Sequence, residues 1–65
     1  MTDNEAFRLS RVEAQGWNAA HRYFASEQGE VSAAKLAKLN PHRADPERAR
    51  WNIGFKNAAE ARNAK

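Results

Sequence analysis

An all-α domain of two or three helices, with a long N-terminal helix packed against a C-terminal one, is the fold class this 65-residue chain predicts. Two observations carry that expectation. Apolar residues recur at three- and four-residue spacing near both ends, the period that puts them on one face of a helix. Helix-starting residues stand ahead of three segments, with glycine or proline breaks between them. One domain is the ceiling at this length, and such a chain buries only ~60% of its unfolded surface. There is no cysteine, so neither a disulfide nor a thiolate metal site is available. Two histidines without cysteine partners do not read as a zinc site, and no cofactor or metal is expected.

The first helix is predicted from about residue 3 to about residue 27. Thr2-Asp3-Asn4-Glu5 has the form of a capping box, in which the threonine hydroxyl and the glutamate each satisfy a free backbone donor. Leu9, Val12, Gly16, Ala19, Ala20 and Tyr23 then make an apolar stripe, widened on one side by Trp17 and Phe24. Arg8, Arg11, Asn18 and Arg22 fall mostly away from it. Gly29 is placed to end the helix, since glycine adopts the left-handed conformation without a side-chain clash.

Residues 32–39 are two helical turns at best, with Ser32 as N-cap. A helix that short is marginal alone, so Leu36 and Leu39 must pin it to a core or it frays. Asn40-Pro41 ends it, because proline disfavours helical geometry in the residue before it. The last helix opens with Asp45 as N-cap, Pro46 at the first helical position and Glu47 near the positive end of the dipole. Trp51, Gly54, Phe55 and Ala58 then share one narrow face. Gly16-Trp17 and Gly54-Phe55 are matching glycine–aromatic pairs. A mid-helix glycine costs ~1 kcal/mol relative to alanine, so both read as points of close helix crossing, each glycine making room for the other helix's indole. Gly16, Trp17, Trp51, Gly54 and Phe55 are therefore the expected structural core, with Tyr23 or Phe24 the more exposed aromatic.

Charge is unevenly spread. Three arginines against five carboxylates leave residues 1–30 at −2, and eight lysines and arginines against three carboxylates leave residues 31–65 at +5. Phosphate binding requires such clustering, but an ordinary solvated helix face with mixed charges also accounts for it. Arg43, Arg48, Arg50, Lys56 and Arg62 are the candidate phosphate contacts. Arg48 and Arg62 lie close to the apolar stripe, where their stems can pack, so Arg43, Arg50 and Lys56 are the freer three. Trp51 and Phe55 have the chemistry to stack on bases, but a chain with so few large apolar residues needs them in its core. His42 reads as a turn residue or a pH-sensitive contact, and His21 as surface. Phe7 and Ile53 stand off their helices' apolar faces, as a partner surface or as ordinary exposed residues.

The residues from Asn40 onward read Asn40-Pro41-His42, then Arg48, Trp51 and Gly54-Phe55, with Gln15-Gly16-Trp17-Asn18-Ala19-Ala20 upstream. Together these resemble the ribosome modulation factor family, which carries a Gly-aromatic-x-Ala-small segment in a first helix. In that family a Cys/Asn-Pro-Tyr turn and an Arg-x-x-Trp-x-x-Gly-aromatic second helix follow. The likeness covers somewhat under half of the chain. It differs in an acidic start, in His42 at the tyrosine position of the turn motif, and in about ten extra residues between Gly16 and Asn40, centred on 30–39. The resemblance implies a non-catalytic, cytoplasmic factor of the stress response that binds small-subunit ribosomal RNA and favours ribosome hibernation. The alternative is a phage- or plasmid-type adaptor or inhibitor that binds a protein partner on the same scaffold.

Enzymatic activity is not expected. The chain has no phosphate-cradling glycine loop, no nucleophile with an identifiable base and no paired carboxylates, and a fold this small is expected to lack a pocket of ~300 Å3 or more. No apolar run approaches the ~20 residues of a membrane span, and the acidic start is unlike a secretory signal. A core this small is compatible with a homodimer.

Overall fold

A computed structural model describes residues 2–27 and 29–63, with side chains over 4–27 and 29–62. Three helices make up the fold, with no strand among the described residues: α1 (Thr2–Ser26), α2 (Ala33–Leu39) and α3 (Glu47–Asn63). The capping box expected at Thr2 lies outside the residues whose side chains are described. Ser32 caps α2 as expected, its hydroxyl accepting from the Lys35 backbone N–H at 3.1 Å. Asp45 supplies the capping bond of α3, its carboxylate accepting from the Ala49 N–H at 3.1 Å. The helix itself begins at Glu47, one residue later than expected, after a cis Asp45–Pro46 bond. Gly29 has φ +91°. It lies in the connection to α2, not at the end of α1, so its conformational freedom serves the turn and not a helix cap.

α1 and α3 run in the same direction. Arg8 pairs with Glu47 at 2.7 Å, Glu13 pairs with Arg50 at 2.9 Å, and the Arg62 guanidinium stands over the Phe24 ring at 4.5 Å. The partners advance together along both helices, so residues 27–46 must carry the chain back. From residue 8 to residue 24 that return covers about 24 Å at 1.5 Å per residue. A two-residue turn cannot do this, and α2 with its flanking segments occupies the return path.

The two glycines meet at the crossing, but not as the pairing with indoles predicts. A Cβ on Gly16 would run into the carbonyl of Trp51, and one on Gly54 into the carbonyl of Glu13. Backbone touches backbone here, in a reciprocal contact that only hydrogen side chains permit. This corrects the placement of Trp17. With the main chains in contact there is no gap for an indole. The Trp17 backbone nitrogen lies 3.1 Å from the Cβ position of Gly54, and its ring turns outward, 38% exposed, against His21 at 5.7 Å. Trp17 is exposed, whereas Tyr23 and Phe24, expected to be the more exposed, are half-buried.

The core consists of Val12, Ala20, Leu36, Trp51, Phe55 and Ala58, with Ala19, Tyr23, Phe24, Val31 and Leu39 packed around it. Phe55 is its hub. Its ring lies 5.5 Å from Trp51 in a stacked arrangement and about as close to Tyr23 (6.1 Å) and Phe24 (5.9 Å). Such contacts are worth ~0.5–1.5 kcal/mol each beyond burial. The α3 stripe predicted from spacing is buried at all four positions, and Leu36 and Leu39 hold α2 to it. Among the described residues no helix is long and apolar enough to cross a membrane.

Candidate functional site

Asn40 organises the region between α2 and α3. It is the one buried polar residue among those described, at 2% exposure, and every part of its amide is used. Nδ2 donates to the Arg48 carbonyl at 3.0 Å and to Asn52 Oδ1 at 2.9 Å, and Oδ1 accepts from the His42 N–H at 2.8 Å. Its own N–H closes α2 by donating to the Leu36 carbonyl at 3.0 Å. A buried amide satisfied on both sides fixes position, because each lost partner would leave a desolvated polar group behind. Asn40 thereby clamps the Asn40-Pro41-His42 turn onto the first turns of α3.

The clamp forms one end of an open cleft of about 600 Å3, lined by Val31, Ala33, Leu36, Ala37, Asn40, His42, Arg43, Arg48, Asn52 and Lys56. The chain therefore does carry a concavity above ~300 Å3, contrary to the expectation from its size. α2 and the turn after it stand beside α3 and build a concavity that the α1–α3 pair alone would not have. One wall is apolar and comes from α2 and from Val31, two residues ahead of it. The other is polar and cationic and comes from the turn and α3. Among the described residues no carboxylate lines the cleft. His42 Nε2 is buried and has no hydrogen-bond partner among the described residues, although an imidazole nitrogen is a donor or acceptor in every protonation state.

Of the five candidate phosphate contacts, the structure brings together Arg43, Arg48 and Lys56. Arg43 reaches the Ala37 carbonyl at 3.4 Å, and Arg48 lies 3.6 Å from Asp45 in an exposed pair, a geometry worth under ~1 kcal/mol and readily exchanged for a phosphate. Lys56 is exposed. Arg50 and Arg62 are not part of the cluster. Arg50, expected to be free, faces α1 and is bonded to Glu13. The periodicity of α3 could not reveal that partner, which lies 37 positions earlier. Arg62 stands beside the stripe and lays its guanidinium, not only its stem, on Phe24. His42 is bonded as a turn residue through its backbone N–H.

Sequence reasoning missed Asn52 and the α2 wall. The available signal for Asn52 was a residue of low helix propensity on the flank of a buried stripe. Fold and cleft together define the class of the molecule: a small three-helix protein presenting an acid-free cationic cleft. Comparison of the chain with protein-family models, curated proteins and solved structures gave no match.

Proposed function

We propose that the protein is a non-catalytic, cytoplasmic RNA-binding factor of the ribosome modulation type, which meets small-subunit ribosomal RNA through the cleft and favours ribosome hibernation. The observation that supports this most is the coincidence of the resembling residues with the cleft and its scaffold. Gly16 and Gly54 set the helix crossing, Trp51 and Phe55 fill the core behind it, and Asn40 orients the turn beside Arg43, Arg48 and Lys56. Three cations in a cleft that no carboxylate lines among the described residues, with only the exposed Asp45 pair on Arg48 to exchange, are suited to phosphate, whose binding is driven by release of condensed counterions.

The salt dependence of RNA binding tests this reading. Three phosphate contacts to a single strand predict that log K falls with log salt at a slope of about −2. Arg43→Gln and Lys56→Gln should each bring the slope nearer zero by about 0.7, while Arg22→Gln on α1 should leave it unchanged. A slope near zero would refute the electrostatic interface. It would favour instead a mobile-element adaptor with a protein partner, for which the exposed Phe7, Trp17 and Ile53, at 67%, 38% and 44%, offer apolar contact.

A further inference from the structure

We propose that the cleft is a pocket for a single unpaired nucleotide, and that α2 exists to build it. The proposal rests on the RNA-binding reading above and names the form of RNA that the site takes. The cleft offers three kinds of wall in the arrangement such a ligand needs. Val31, Ala33, Leu36 and Ala37 give an apolar surface for the face of a base. His42 lines the cleft with Nε2 buried and without a partner among the described residues, so a turn of its ring about the Cβ–Cγ bond would bring that nitrogen to a base edge, beside the Asn52 amide, whose Oδ1 is already taken by Asn40. Arg43, Arg48 and Lys56 surround these groups and would hold the flanking phosphates.

A volume of about 600 Å3 lies within the ~300–1,000 Å3 of small-ligand sites and admits one nucleotide but no duplex. Bases inside a helix present neither a free face nor an accessible pairing edge, so a pocket of this shape selects unstacked, single-stranded nucleotides. The apolar wall comes entirely from residues 31–37. Without α2 the same cations would lie on an open face, able to bind phosphate but not to distinguish a splayed base.

The test compares a single-stranded oligoribonucleotide with a hairpin duplex of equal length on the full chain at fixed salt. The single strand should bind roughly tenfold tighter, the scale of one base edge hydrogen-bonded with its face against an apolar wall. His42→Ala should remove that preference while leaving duplex affinity unchanged. Ala33→Glu, which puts a carboxylate on the cleft wall, should weaken single-strand binding about tenfold or more. Ala34→Glu adds the same charge one residue along, outside the lining, and should have little effect; glutamate is favourable in the first turn of a helix, so both variants keep α2. Adenosine or uridine monophosphate should shift the His42 imidazole NMR signals, whereas inorganic phosphate should not. Equal affinity for the two RNA forms, or equal effects of the two glutamates, would overturn the proposal. Cosedimentation with ribosomes judges the ribosomal role separately. Single-strand selectivity without ribosome association would sink that role and keep the pocket, and ribosome association without selectivity would do the reverse.

Discussion

Replacing Gly16 or Gly54 with alanine is expected to destabilise the protein by ~3 kcal/mol or more, towards the upper end of what overpacking costs. On helix propensity alone the sign would be opposite, since alanine in a helix interior is favoured over glycine by ~1 kcal/mol. The difference lies in the crossing. Each added Cβ would have to occupy the place of a main-chain carbonyl on the other helix, and a backbone cannot rotate aside as a long side chain can. The helices must separate, and separation loosens the packing of Trp51 and Phe55 behind the contact. A chain of this length has ~3–10 kcal/mol of stability, so either variant should be largely unfolded near physiological temperature. Both glycines sit in one reciprocal contact, and a single displacement relieves both clashes. The double variant should therefore cost clearly less than the sum of the two singles. Thermal unfolding followed by circular dichroism reads all three, and a raised midpoint for either single variant would exclude backbone contact at the crossing.

The second large effect is expected at Asn40. Asn40→Ala removes three side-chain hydrogen bonds at a site with 2% exposure and leaves the His42 N–H and Asn52 Oδ1 without their partners. At ~1 kcal/mol per net bond, with more for each group left buried and unsatisfied, the loss should reach ~2–4 kcal/mol. Asn40→Asp should do no better. Its carboxylate still accepts from His42 but cannot donate to the Arg48 carbonyl or to Asn52, and it buries a charge that the present partners of Asn40, all uncharged groups, do not neutralise. Urea denaturation gives the stability loss, and hydrogen exchange at residues 40–44 and in the first turn of α3 gives its location. Loss of protection confined to that region is the expected pattern. A change below ~0.5 kcal/mol would mean that Asn40 does not hold the turn.

These two predictions mark how far the residues could be read before the structure. The stripes of α1 and α3, the Ser32 cap, the pinning leucines and the glycines as crossing points all follow from spacing and local backbone chemistry, which are properties of neighbours in the chain. What the glycines face is not such a property. Gly16 was expected against an indole and touches the main chain of Trp51 instead, and the same contact pushes Trp17 to the surface. The parallel course of α1 and α3 was hidden for a related reason, since an amphipathic stripe has the same period whichever way its partner runs. Arg50 illustrates the effect on the site. Its charge was legible, but Glu13 takes it out of the cluster. The cleft was illegible altogether, because its apolar wall belongs to a short helix that spacing alone could not distinguish from a linker.

Sedimentation of lysate through a sucrose gradient tests the central claim most directly, with the protein and an Arg43→Gln/Lys56→Gln variant each followed through growing and starved cells. The account predicts that the protein travels with small subunits or paired ribosomes, more so on starvation, and that the variant stays at the top of the gradient while remaining folded. Absence of the unaltered protein from every ribosomal fraction in both conditions, or a variant that sediments unchanged, would contradict it.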